Sequence, residues 1–206
     1  MPMNAPDPDR LRKRNRGLLL LIFAMFLGSM LVAGALRFSG WKPAGMRNNG
    51  TLLQPPVDLR THAPTLASGA AYAWTPDART WRVLAVPPAG CAQACVDAAR
   101  DLDIIWRAAG RNADHLDVLW LCAEAGCAVP APLRDDRSLR VLAPDAAMRA
   151  ALAGAGATAD AAGAAPAAGG VPMYIVDPNG FVILRYAPGA DLRGMREDLV
   201  KLLKLV

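Results

Sequence analysis

Histidine is nearly absent from this chain: His62 and His115 are the only two among 206 residues. No Ser/His/Asp set, paired-carboxylate arrangement or Gly-rich phosphate loop stands out, so hydrolytic triads and nucleotide cradles find no support. Asp177-Pro178-Asn179-Gly180 resembles the start of a calcium loop, but the remaining oxygen ligands are missing and it reads as a turn. No internal repeat recurs at a period of 20 to 50 residues, which excludes a solenoid or propeller. Charge is also missing from Leu18 to Leu36. At ~1.5 Å per residue that run reaches roughly 28 Å as a helix, close to the thickness of a bilayer hydrocarbon core.

The net charge of +5 has a local origin. Arg10, Arg12, Lys13, Arg14 and Arg16 stand just before the uncharged run, and the rest of the chain is close to balanced. This is a topology signal rather than a nucleic-acid surface, since no basic face interleaved with aromatics follows it. The positive-inside tendency makes residues 1–16 a cytoplasmic tail and residues 17–38 a transmembrane anchor, with the remainder on the far side. Ala33-Gly34-Ala35 would suit a signal-peptide cleavage site, but the apolar run exceeds the usual h-region, which favours an uncleaved anchor in the lipid bilayer.

Residues 39–80 read as a Pro-rich tether and N-terminal extension. Trp41 suits the headgroup level, and Pro43, Pro55, Pro56, Pro64 and Pro76 interrupt any long helix. Asn48-Asn49-Gly50 signals a turn, and a short hairpin would fit the segment. Leu52-Leu53-Gln54-Pro55-Pro56 looks like an extended piece crossing toward the domain.

From Trp81 the pattern alternates. Trp81–Val86 predicts a strand ending at Pro87-Pro88. Cys91–Ala109 carries apolar residues at the spacing of an amphipathic helix, and Leu116–Cys122 predicts a second, parallel strand. Arg140–Ala143 adds a short extended piece, and Pro144 to about Leu152 a helix. The Ala/Gly-rich stretch Ala150–Gly170 reads as a helix end and a flexible loop. Met173–Asp177, the turn Pro178-Asn179-Gly180 and Phe181–Tyr186 form a hairpin signature. The segment from Leu192 to Val206 is an amphipathic helix for covering the sheet. The order β-α-β, helical connection, β-hairpin, α over residues 81–206 is an α/β, thioredoxin-like arrangement behind one N-terminal transmembrane helix. Trp81, Trp106, Trp120 and Met173 are read as core.

Cys91, Cys95, Cys122 and Cys127 are the only thiols, and on the exported side disulfides persist. Three pairings are open. Cys91 and Cys95 lie one turn apart at the start of a predicted helix, where unpaired amides and the helix dipole stabilise a thiolate, Cys91 most. A local bridge there closes so short a loop that stabilisation is a poor reason for it. For Cys122 and Cys127 two readings stand: a structural disulfide, which is favoured, or a second dithiol that exchanges with the first. A zinc site made from all four is geometrically allowed, although structural zinc spacings are usually tighter.

The segment Gly90-Cys91-Ala92-Gln93-Ala94-Cys95, directly after a strand and opening a helix, resembles that of the Sco/SenC family of membrane-anchored copper proteins. The resemblance runs from about Thr80 to the carboxyl end and includes the single anchor. It implies a role in cytochrome c oxidase assembly at the bacterial inner membrane, with a periplasmic domain and with Cys91 and Cys95 as the active dithiol or as ligands to Cu(I). Partners would be an oxidase subunit or a copper-carrier protein, with no nucleic acid. It also implies that Pro172, preceding the third core strand, forms a cis bond with Val171 against the dithiol. Copper-holding relatives add a histidine shortly before that strand, at a position that falls near Gly169 here. His115 is expected about 17 Å from the dithiol edge at ~3.3 Å per residue. Two readings follow: a thiol-disulfide protein reducing client or carrier cysteines, or a Cu(I) metallochaperone or noncatalytic scaffold with Met173 as a substitute donor.

Overall fold

The computed structural model describes residues 8–39, 48–160 and 170–205. Trp41, Pro43, Gly169, Val206 and the Ala/Gly-rich loop beyond Asp160 lie outside them. The chain divides into two units, Met1–Arg47 and Asn48–Val206.

In the first unit, helix α1 (Pro8–Phe38) contains the stretch Arg12–Phe38, long and apolar enough to cross a membrane, with a mean hydropathy of 2.5 over an 18-residue window. Its large apolar side chains, Leu19, Phe26 and Met30 among them, are exposed along its length.

In the second unit six strands form one mixed sheet: β1 (Thr51–Asp58), β2 (Trp81–Ala85), β3 (Leu116–Leu121), β4 (Leu139–Leu142), β5 (Met173–Val176) and β6 (Phe181–Tyr186). Their spatial order is β1-β6-β5-β2-β3-β4. β2, β3 and β4 run parallel, while β5 pairs antiparallel with both β2 and β6. The crossover from β2 to β3 is α2 (Ala92–Ala109), and the four-residue α3 (Ala131–Arg134) precedes β4. Helix α4 (Ala146–Asp160) links β4 toward the hairpin, and α5 (Leu192–Leu202) closes the fold. This is a thioredoxin-like arrangement extended by an edge strand.

Side-chain alternation divides the sheet's two faces. Val83, Ala85, Val118, Trp120, Met173 and Ile175 point to the side covered by α2 and α5. Leu84, Val86, Leu119, Leu121, Tyr174 and Val176 point to the other, where Met148 and Leu152 of α4 and Leu53 and Leu59 complete a second cluster. The Asp177-Pro178-Asn179-Gly180 turn joins β5 to β6. Asp177 Oδ1 accepts from the Phe181 amide at 2.7 Å, and Gly180 takes a left-handed φ of 94°.

Three sequence expectations change. The segment expected as a tether over 39–80 is folded from Asn48 onward. β1 is an edge strand on β6, Leu53 and Leu59 are core, and Thr65 and Ala71 form a bridge that closes a small hairpin. Pro55 and Pro56 are accommodated because β1 is at the edge and its register shifts between Leu52 and Val57, where absent N–H donors leave no ladder bond broken. The second change concerns Pro172. Among the described residues the one cis peptide bond is Gln54–Pro55, so Val171–Pro172 is trans. The chain there continues the alternation of β5: Val171 joins the α2 side, and Pro172 turns toward the α4 side beside Val86 and Leu152. The third is the helix expected to end near Leu152, which runs on to Asp160 because the alanines of the Ala/Gly-rich stretch favour the helix.

Candidate active site

β2 delivers the chain to the site. After Ala85, Val86 still donates to the Pro172 carbonyl at 3.1 Å, and Pro87-Pro88-Ala89-Gly90 then turns the backbone into α2, with Gly90 at a φ of 66°. Pro87 and Pro88 end the strand because neither can donate to a ladder. Cys91 is the N-cap of α2, and its carbonyl accepts from the amides of Ala94 at 2.9 Å and Cys95 at 3.4 Å. Ala92, the first helical residue, holds a φ of 39°, a left-handed conformation uncommon outside glycine.

Cys91 and Cys95 form one disulfide, with a Cα–Cα distance of 5.4 Å, and Cys122 and Cys127 form a second, at 5.7 Å. Both separations are ordinary for bridged cysteines. A cleft of about 280 Å³ opens beside them, and Cys91, Cys95 and Cys127 all line it, with Trp120 and Glu124 among the other lining residues. Cys95 is only 9% exposed and Cys122 2%, whereas Cys91 and Cys127 are half-buried. Trp120, expected simply as core, is indeed buried at 1% exposure and also borders this cleft.

Arg149 is the residue that sequence reasoning missed. From α4 its Nη2 donates to the carbonyls of Leu121 at 2.6 Å and Pro87 at 3.0 Å, and its Nε donates to that of Cys122 at 3.3 Å. One guanidinium thus ties together the ends of β2 and β3 from which both cysteine segments depart. Burial lowers its pKa from the usual value, yet a guanidinium remains charged at any physiological pH. An arginine in an Ala-rich helix carries no sequence signal of this role.

A further anchored point lies at the same end of the sheet, toward the β1 edge. Asp198, 3% exposed, accepts from the Asn49 amide at 2.6 Å, the Gly50 amide at 3.1 Å and the Tyr186 hydroxyl at 2.8 Å. Lys201 adds an ion pair at 3.2 Å. Burial alone would push the carboxyl's pKa up, but the bonds from Gly50, Tyr186, Asn49 and Lys201 outweigh it and hold it below the ordinary value. Burial and the Asp198 contact push the Tyr186 hydroxyl's pKa up.

The donor set does not match a site of two thiolates and an imidazole. His115 immediately precedes β3, whose first residue pairs with the first of β2, and His62 follows the end of β1, beside the Asp177 turn. Both therefore sit at the end of the sheet opposite Cys91. Met173 is buried on the α2 side but lines a different groove, with Ala94 and Tyr186. Among the described residues no group of three or more His, Cys, Asp or Glu side chains is placed to hold a metal ion.

A dithiol bridged across the first turn of a helix, after a central strand of a mixed sheet, defines a thioredoxin-fold protein. The chain belongs to the family described as the transmembrane-like, thioredoxin-like, C-terminal domain, whose model matches residues 81–206. Among solved structures, yeast Sco1 with copper bound is similar with a TM-score of 0.50 at 14% identity, covering 81% of this chain and 96% of that one. A SCO1/SenC family lipoprotein from Bacillus anthracis gives 0.48 at 16%, covering 73% and 98%. At these identities the likeness is one of fold. No curated protein sequence matches the chain.

Proposed function

We propose that the chain is a membrane-anchored thiol-disulfide protein that supports cytochrome c oxidase assembly by reducing cysteines of an oxidase subunit or of a copper carrier. Residues 1–16 are its cytoplasmic tail, residues 17–38 its anchor in the bacterial inner membrane, and the folded unit is periplasmic. The observation that carries the reading is the position of the Cys91–Cys95 pair: it opens an 18-residue helix beside the cleft, with Cys91 half-buried and Cys95 buried. The resemblance of its helix-opening segment to Sco/SenC proteins supports the choice of client.

In the reduced protein the free amides at the start of α2 favour a thiolate at Cys91. That thiolate attacks a client disulfide, forms a mixed disulfide and releases one client thiolate. Cys95 then attacks Cys91 Sγ, closes the Cys91–Cys95 bond and releases the second client thiolate. Two electrons pass to the client, and the two protons of the dithiol go with them.

The competing reading, a Cu(I) carrier, draws on the copper held by yeast Sco1 but finds two sulfurs and no imidazole here. Anaerobic Cu(I) titration of the reduced full-length chain in detergent, against a competing chelator, separates the two. Weak or absent retention with reversible formation of the Cys91–Cys95 bond is the expected result. Tight one-to-one retention that is lost in Cys91→Ala would overturn the reductant reading.

A further inference from the structure

The mechanism above leaves the second disulfide without a task. Alternation along β3 puts Trp120 and Cys122 on the face covered by α2, and the buried Cys95 and Cys122 belong to one apolar cluster. Cys91 and Cys127 pack on the rim of that same cluster and line one cleft. Each bridge therefore joins a half-buried cysteine to a buried one. Arg149 fastens the strand ends beneath the two segments, since a single nitrogen holds the Pro87 and Leu121 carbonyls. A bridge that spans only five positions removes less entropy from the unfolded chain than a long-range one, so cross-linking is a weaker reason for its presence. No helix of comparable length begins at Cys122 or Cys127; the nearest, α3, has four residues and starts at Ala131.

We propose that Cys122 and Cys127 are a second redox centre that passes electrons to Cys91–Cys95 by direct exchange between Cys127 and Cys91. The inference rests on the reading of Cys91–Cys95 as an active dithiol. An external dithiol reduces Cys122–Cys127 first. The Cys127 thiolate then attacks Cys91 Sγ; the Cys91–Cys95 bond breaks, and Cys95 leaves as a thiolate and takes up a proton. The Cys122 thiolate attacks Cys127 Sγ in the resulting Cys91–Cys127 bond, closes the Cys122–Cys127 bond and releases Cys91. One disulfide is reduced as the other forms, and two electrons and two protons are transferred within the chain. The start of α2 stabilises the released Cys91 thiolate, so the exchange favours a reduced Cys91–Cys95 pair ready for its client.

The full-length Cys95→Ser/Cys122→Ser variant retains only the two half-buried thiols, Cys91 and Cys127. Treated in detergent with oxidised glutathione and mapped by peptide mass spectrometry, it is expected to lose both free thiols to an intramolecular Cys91–Cys127 bond. Separate glutathione adducts on each, or dimers alone, would overturn the proposal. The unmutated chain gives a test free of folding effects. After reduction with enough phosphine for half of the bridges, timed alkylation should show label moving from Cys122 and Cys127 to Cys91 and Cys95 at a rate independent of protein concentration. Label that stays in place while Cys91–Cys95 is itself reversibly reduced would overturn the relay alone. A Cys91–Cys95 bridge that resists reduction would overturn both the relay and the dithiol reading beneath it.

Discussion

Arg149 holds the carbonyl oxygen of Pro87 at 3.0 Å with the same nitrogen that holds the Leu121 carbonyl at 2.6 Å, so one side chain fixes the spacing of the two strand ends at the dithiol. Replacing it with methionine leaves three carbonyls to find water or remain unpaired. Arg149→Met should lower stability by about 1–3 kcal/mol, the range for leaving a buried hydrogen-bonding group unsatisfied, and should alter the rate of Cys91–Cys95 reduction. Thermal melts and thiol labelling check this; a variant with unchanged stability and rate would show that the clamp is incidental.

The Asp198 cluster makes stability depend on acid. A carboxyl whose folded pKa lies below its unfolded value contributes stability that is complete above the unfolded value, about 3.9, and is lost as pH falls through the folded one. The wild-type melting temperature should therefore fall on acidification below about pH 4, and Asp198→Asn should show a smaller fall over the same window. Equal acid sensitivity in the two proteins would refute the assignment.

Gly50 is fixed by its neighbour rather than by its backbone. A Cβ added there would meet the Tyr186 ring at 2.6 Å, and the Tyr186 hydroxyl is itself held by Asp198. Gly50→Ala should cost roughly 1–3 kcal/mol, as overpacking usually does. In a Tyr186→Ala background the same substitution should cost less, and a double-mutant cycle by denaturant unfolding measures the difference.

Both histidines belong to the opposite end of the sheet. His62→Ala and His115→Ala should leave Cys91–Cys95 redox behaviour and Cu(I) retention at wild-type levels, as read by thiol labelling and chelator competition. A loss of either property in either variant would contradict the geometry.

Much of the sheet is legible in the sequence because its central strands are short apolar runs that end at turn residues. Phe181–Tyr186 matches the structure residue for residue, and Trp81–Val86 and Leu116–Cys122 each overrun by one. β1 is less legible: two prolines break its alternation, and only pairing with β6 makes it a strand. At the site, the helical start of the Cys91–Cys95 segment follows from spacing and the preceding strand. The cleft shared with Cys127 does not, because it depends on how the loop after β3 returns toward α2. Arg149 and Asp198 act across the fold, on partners far away in sequence, and local pattern carries no trace of such bonds. The trans Val171–Pro172 bond shows the limit of analogy, since an expectation drawn from resemblance yields to the strand's own alternation.

The central claim is that Cys91–Cys95 is a working dithiol. Its most direct test is a redox titration of the full-length chain in detergent, in buffers of graded thiol-disulfide ratio, with each cysteine's labelling read by mass spectrometry. The account predicts a reversible two-electron transition at Cys91 and Cys95 in the folded protein, abolished in Cys91→Ala. A pair that becomes labelled only after the protein is unfolded would contradict it.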